Sequence, residues 1–426
     1  VRQTTLPRDP ADFLVEIFQG PRSGTGLRVG ENTAMGWTAL SAGIRFLAET
    51  LASLPVHWYE RDGARGKKRL PPGHPLVRLF SDEPNPEMTP FEVIELMQTH
   101  IVLWGNGYAQ IVFDNGGRPI QLWPLNPDRV QAERDPAGRL TYRVTLPGTT
   151  PGSVTGSTIL PADEMLHIRG FSRYGLLGER IAQVHREAIG LGLATEQYGV
   201  KFYGQGMHAG GFLEHPASLS QEAQERLIKA KEKQVAGLEG AHRLMVLEEG
   251  MKWHQATVDP EKAQFLELRK FQVTECARIL RLPPHVLYDL ERATFTNIEH
   301  QGIELVTYTM LPWVVRWEQR LDKHLVSVKM RNSQFAKFNV NALLRGDTKT
   351  RYEAYAIARE KGWLSVNDIR ELEDMNPVEG GDTYLEPMNM RPLGTADAPP
   401  APPPPQLPAG QGEPDPLQAN DQEAAA

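Results

Sequence analysis

An α+β fold is predicted for this chain of 426 residues, on three observations. Apolar residues recur at three- and four-residue steps through several long stretches, which marks amphipathic helices. From Gly105 onward that period gives way to alternation around Asn-Gly and Asp-Pro-Ala-Gly turns, the pattern of antiparallel hairpins. A compact β-α-β-β pattern near residues 211–258 then stands between two helices, so a small module is held at the tip of a helical hairpin.

The elements follow in order. Trp37, Leu40, Ile44, Leu47, Leu51 and Leu54 form one helical stripe, which Pro55 stops. "VHWYER" continues as a strand into a basic turn. A second helix begins at Thr89, with Pro90 at its first position and Glu92 closing a capping box; Ile94, Met97, Ile101 and Trp104 are its stripe. "GYAQIVF" and "RPIQLWPL" flank "DNGG", and "DRVQAER" and "RLTYRV" flank "DPAG", giving two hairpins. "DEMLHIRG" adds a strand, and the region reads as one helix-backed antiparallel sheet.

Helix returns near Ile181, with Val184, Ala188, Leu191, Thr195, Tyr198 and Phe202 on one face and Gly190 and Gly192 admitting a close neighbour. Asp259 and Pro260 open a further helix to about Leu282, carrying Phe265, Leu268 and Phe271. A helix of about 28 residues, Asn297 to Leu325, should kink at Pro312. Trp313, Trp317, Leu321 and Leu325 continue its stripe. "FAKFNV" is a strand, and short helices start near Asp347 and Ser365.

Composition bounds the function. The length exceeds what one core serves, so two or more lobes are expected. No apolar run approaches the roughly 18 residues of a membrane span, and no signal segment opens the sequence. The single cysteine, Cys276, excludes an intrachain disulfide framework and a cysteine-based zinc site, and a reducing compartment is expected. A net charge of −7 argues against tight, sequence-independent binding to nucleic acid, though not against loose contact with DNA. Residues 1–30, rich in Pro, Gly, Arg and Thr, and residues 391–426, with "APPPPQLPAGQGEPDP" and five acids against one arginine, bury too little to offset chain entropy. Both are expected to be mobile.

Candidate chemistry is sparse. "YGQGMHAGG" approaches a phosphate-binding loop, but Ala209 replaces the third glycine and a helix precedes it, so a helix-terminating joint is the reading. No Walker motif, H-E-x-x-H or G-x-S-x-G occurs. Asp163 and His167 share a strand face at i and i+4, and His185 lies near Glu187, yet no second pair at ligand spacing supports a metal. No cofactor is expected. Arg345-Gly346-Asp347 falls where a strand gives way to a helix, with Asp347 as a cap. Cys276 reads as a small buried hydrophobe, and Trp313 and Trp317 as core. Residues 288–300, "YDLERATFTNIEH", form a polar loop between helices, longer than a bare connector needs and without a base and its orienting partner.

As a set, "LAETLASLPVHWYER", "HPLVRLFSDEPNPEMTPFEV", "VLWGNGYAQIVFDNGGRPIQLWPLNPDRV" and "LHIRGFSRYGLLG" carry a resemblance. It continues through "VLEEGMKW", "ILRLPPHVLYDLERATFTNIE", "LLRGDTKTRYEAY" and "GWLSVNDIRELEDMNPVEGGDTYLEPMNM". Over about residues 35–390, in order, the chain resembles the portal proteins of long-tailed double-stranded DNA phages, the ring through which the genome enters and leaves the head.

The resemblance implies a non-enzymatic ring subunit, usually one of twelve in virions, with α/β wing, two-helix stem, small α/β clip and helical crown. After a flexible arm at 1–30, residues 31–180 would begin the wing, 181–210 and 259–283 form the stem, and 211–258 the clip. Residues 284–296 would be the tunnel loop, 297–345 the wing's long kinked helix and strand, 346–390 the crown and 391–426 a disordered tail. The implied partners are copies of the chain, the large terminase, the head–tail adaptor, the major capsid or scaffolding protein, and double-stranded DNA without sequence specificity; no membrane is involved. The place is the virion's unique vertex, reached from the host cytoplasm. Glu291, Arg292, Thr294, Phe295 and Thr296 would face DNA, with Glu291 limiting the grip of Arg292. Arg292 pairing with a neighbouring subunit's acid is the alternative reading. The other readings are the equivalent ring of a gene-transfer particle or domesticated prophage and, remotely, a soluble hydrolase using Asp163 and His167.

Overall fold

The computed structural model describes residues 21–63, 66–147, 154–204, 211–214, 221–222, 225–226, 252–255, 262–289, 302–340, 343, 348–373 and 375–385. The chain forms two compact units, Val1–Gly346 and Asp347–Ala426.

In the first unit a short helix, α1 (Glu31–Ala34), precedes α2 (Thr38–Ala52). The expected stripe of α2 is the centre of the core: Leu40, Ile44, Leu47 and Leu51 are buried. Pro55 disfavours helical backbone at the residue before it, so the chain leaves α2 into strand β1 (Val56–Asp62), which turns back as β2 (Gly66–Arg69). Helix α3 (Pro75–Ser81) has no counterpart in the periodicity. Its two turns offer only Leu76, Leu79 and Phe80, too few repeats to read, while Pro75 at its first position and the His74 ring start it. Helix α4 (Pro90–Trp104) follows the sequence closely. Thr89 Oγ1 accepts from the Glu92 N–H, the Glu92 carboxylate accepts from the Thr89 N–H at 2.7 Å, and Gly105 ends the helix at φ 74°.

Six strands follow: β3 (Asn106–Phe113), β4 (Pro119–Leu125), β5 (Val130–Arg134), β6 (Leu140–Pro147), β7 (Val154–Pro161) and β8 (Met165–Arg169). Both expected hairpins form, with Asp114 Oδ1 accepting from the N–H groups of Gly116 and Arg118 in the first turn. The expected single sheet is instead two three-stranded sheets, β4-β3-β8 and β5-β6-β7. Pro124 and Pro127 cannot donate to a ladder, and a 3-10 turn at Pro127–Arg129 redirects the chain between β4 and β5. Strand β7 was not anticipated, since Gly156, Ser157 and Thr158 dilute its alternation. A second, small core joins the two sheets: Tyr142, Val144 and Leu160 of the second pack with Tyr108 and Met165 of the first.

Helices α5 (Ile181–Val184) and α6 (Arg186–Gly204) come next, then the antiparallel pair β9 (Gly211–Glu214) and β10 (Lys252–Gln255), then α7 (Lys262–Leu280). A π-helical turn, Leu305–Met310, runs into α8 (Leu311–Leu325), and β11 (Gln334–Phe338) pairs antiparallel with β1. β11 is an edge strand, and α8 covers its free side. Glu318 accepts from the Phe338 N–H at 3.0 Å and from Lys337 Nζ, while Asp322 one turn later accepts from the Ala336 N–H at 2.7 Å. Trp317 is buried with its Nε1 donating to Gln98 Oε1, and Trp313 is half-buried.

The second unit holds α9 (Thr348–Glu360) and α10 (Val366–Leu372). Ser365 caps α10 in a box with Asp368, and Glu373 accepts from the Tyr355 hydroxyl and Arg351 Nη2. Asp347, the expected cap of α9, lies outside the described residues. Among the described residues no helix is long and apolar enough to cross a membrane.

Candidate functional site

Glu291, Arg292, Thr294, Phe295 and Thr296 lie outside the described residues, and the structure shows how the segment bearing them is held at its base. Helix α7 ends at Leu280, and Arg281 takes a left-handed conformation (φ 57°) while the Leu282 N–H returns to the Ala277 carbonyl. The double proline then forces a 3-10 turn, Pro284–Leu287, and Tyr288 (φ 61°) leaves it 91% exposed.

Two elements clamp this base. Gly43 of α2 faces Leu280, Leu282 and Leu287 so closely that a Cβ there would lie 2.3 Å from Leu280 Cδ1. On the other side Thr309 Oγ1 donates to the Arg281 carbonyl at 2.6 Å, and Arg281 Nη2 donates to the Tyr308 carbonyl at 3.2 Å. Tyr308 is four residues before Pro312, so its carbonyl is the one that the missing proline N–H would leave unserved in an α-helix. The kink expected at Pro312 is therefore a widened π turn, and the freed carbonyl is tied to the loop's first residue. Sequence reasoning missed both Gly43 and Arg281. A glycine within the α2 stripe was the available signal for the first; nothing local signalled the second. Substituting Gly43 by Ala is expected to cost about 1–3 kcal/mol through overpacking and to raise hydrogen exchange over 280–288; unchanged exchange there would show that the leucines do not anchor the loop.

His167 and Asp163 are not brought together. Asp163 is exposed in the turn before β8, whereas His167 is 2% exposed on it. Asn106 Oδ1 accepts from the Gly178 N–H and from His167 Nε2, so Nε2 carries the proton and Nδ1 accepts from the Tyr142 hydroxyl at 3.0 Å. Burial, with Arg169, Arg320 and His324 nearby, holds the imidazole well below its usual pKa. This is a satisfied core histidine. Cys276 is likewise buried, its thiol pushed up to about 12 by burial.

Helix α6 turns out differently from its periodicity. Leu191 is 45% and Tyr198 48% exposed, and Val184 is also exposed, while Ile189, Gly190, Gly192, Thr195 and Gly199 face inward. Gly192 sits against the Trp37 ring, Gly190 against Ser23 and Gly199 against Phe265, and Thr195 accepts from Gln272 Nε2 at 2.7 Å. Close approach of α6 to these neighbours needs its small residues, and Leu191, Tyr198 and Val200 are left exposed. Leu266, Leu268 and Phe271 of α7 are exposed too.

Comparison with known proteins adds to this geometry. Residues 38–374 match the family described as phage portal protein. The chain is 30% identical over 404 residues to the probable portal protein of Streptomyces phage phiC31, covering 92% of this chain and 86% of that one. The crystal structure of an HK97 family phage portal protein from Corynebacterium diphtheriae superposes with a TM-score of 0.55 at 18% identity, over 74% of this chain and 96% of that one. A chain in the virion of a native gene transfer agent particle gives 0.54 at 21% identity, over 84% and 95%.

Proposed function

Because the chain belongs to the phage portal protein family, we propose that its copies close into a ring at one capsid vertex, around a channel that passes double-stranded DNA. The carrying observation within the molecule is the set of large apolar side chains that α6 and α7 leave exposed. Leu191, Tyr198, Val200, Leu266 and Phe271 are exposed, although α6 buries Ile189, Gly192 and Thr195 and α7 buries Gln272, Cys276 and Ala277. Large apolar side chains left exposed along two neighbouring helices fit a contact with another chain.

In this reading residues 31–180 with 297–345 are the wing, 181–210 and 259–283 the stem, 211–258 the clip and 346–390 the crown. The clip meets the large terminase during packaging and the head–tail adaptor afterwards, and the wing or crown meets capsid or scaffolding protein. The portal family is structural, so energy for DNA movement comes from the terminase. The ring assembles in the host cytoplasm and stays in the virion. The likeness to a gene transfer agent chain also supports the equivalent ring of such a particle, and the DNA packed in purified particles separates the two.

A channel must pass DNA without gripping it, since each neutralised phosphate adds salt-dependent affinity. In this reading residues 284–296 are the tunnel loop, and its Arg292, Thr294, Phe295 and Thr296 would line the constriction beside Glu291. Arg292→Glu is expected to leave rings intact by native mass spectrometry and electron microscopy while lowering packaged or retained DNA several-fold. Rings that package and retain DNA normally would remove Arg292 from the channel wall, and a protein that never forms rings would overturn the reading as a whole.

A further inference from the structure

In an acidic chain, one cleft is lined by three arginines and, among the described residues, by no acid. Arg169 ends β8, the loop from Gly170 to Gly175 leaves it, and Pro312, Val315, Arg316, Gln319 and Arg320 of α8 form the facing wall around about 490 Å³. Arg316 Nη1 donates to the carbonyls of Arg169 and Gly170, and its guanidinium lies 5.3 Å from the Trp313 ring centre. Arg169 Nη1 donates to the Leu176 carbonyl. These bonds fix the two guanidinium groups in place without neutralising them. Their Nε atoms are buried and have no partner among the described residues. The third arginine, Arg320, is half-buried and pairs with no described carboxylate. Burial and mutual repulsion push the Arg316 and Arg320 pKa values down, and His324 lies in the same field.

The Nη2 groups that Arg169 and Arg316 leave over, with the guanidinium of Arg320, are held, partly desolvated, charged donors that suit an oxyanion. The rim is apolar: Phe171 is 69% exposed, and Val315 and Pro312 are also exposed. A half-buried slot with an apolar rim suits one acidic side chain on a peptide better than the evenly spaced phosphates of a duplex, which exposed cationic rows serve. The same chain carries 53 acids against 46 Lys and Arg, so another copy presents the complementary charge.

We propose that the Arg169–Arg316–Arg320 cleft is a carboxylate-binding slot that receives an Asp or Glu side chain from a neighbouring copy of this chain. The slot rests on the ring reading above. It would fix the angle between adjacent subunits through a charged, directional contact.

Arg320→Lys keeps the charge and places a primary amine in the slot. Rings built from equal parts of heavy- and light-isotope Arg320→Lys chains, treated with a zero-length carbodiimide, are expected to yield an amide from residue 320 to an acidic residue of the other isotope. Arg320→Gln is expected to weaken association about tenfold while leaving the subunit folded. Rings whose residue 320 joins no second copy would overturn the slot and leave the ring reading standing. So would an Arg320→Gln ring of unchanged affinity that loses binding to a short DNA duplex, since the slot would then take phosphate. Absence of rings from the unsubstituted chain would overturn both readings.

Discussion

Gly178→Ala is expected to destabilise the first unit by about 3 kcal/mol or more, the upper end of overpacking penalties. A Cβ at this position would lie 1.8 Å from the Gly105 carbonyl oxygen and 3.0 Å from the Gly170 nitrogen. Both are backbone atoms, so no rotamer change relieves the clash. The approach is close because Asn106 uses its whole amide here. Its Nδ2 donates to the carbonyls of Trp104 and Gly178, and its Oδ1 accepts from Gly178 and His167. Separating the two strands of chain would break that set as well. Gly175→Ala is the control: Gly175 has φ 81° with nothing within 4 Å of a Cβ, so only the left-handed penalty of about 1–2 kcal/mol applies. Urea midpoints at one protein concentration measure both. A Gly178→Ala midpoint at or above that of Gly175→Ala would refute the packing.

Mild acid is expected to cost this protein about as much. His100 and His324 are pushed down to about 4, chiefly by burial, and His167 is held low for the same reason. All three are neutral in the folded chain, whereas in the unfolded chain they take up protons near pH 6.5. Their folded pKa values are depressed, so the stabilisation is complete above pH 6.5 and is lost as pH falls towards the folded values. At pH 5.5 His100 and His324 each contribute a loss of about 1.4 kcal/mol, about 3 kcal/mol together, and His167 adds to it in the same direction. The carboxylates of Asp114, Glu133 and Asp135 are held below their ordinary range by backbone and arginine hydrogen bonds. Their contribution is lost at lower pH and does not mask the window from 7.5 to 5.5. Unfolding free energies across that window should fall, and His100→Leu should reduce the fall by about 1.4 kcal/mol. A flat profile would mean that these imidazoles are not buried and neutral.

Elements set by local chemistry were legible in the sequence. Thr89, Pro90 and Glu92 started α4, Asp114 and Gly117 turned the first hairpin, and Ser365 with Asp368 started α10. Elements with few repeats were not: α3 is two turns long, and β7 has Gly, Ser and Thr where alternation would be read. The candidate site divides in the same way. Its position between two proline-marked helices was evident, but the clamp joining Gly43, Arg281 and Thr309 spans residues far apart in the chain. The same holds for the slot, whose Arg316 and Arg320 are one turn apart on α8 while Arg169 comes from strand β8, far away in the chain.

The sequence by itself determined the α+β class, the order of the long helices and hairpins, and the family, because these follow from periodicity, caps and a long ordered set of matched stretches. Only the tertiary structure decided which face of α6 turns inward, how Pro312 is accommodated, and that His167 is a core group rather than a partner of Asp163. Periodicity locates a stripe but does not say whether it meets the chain's own core or another chain. For α6 the close approach of Trp37, Ser23 and Phe265 required glycine at those contacts, and Leu191, Tyr198 and Val200 were left exposed.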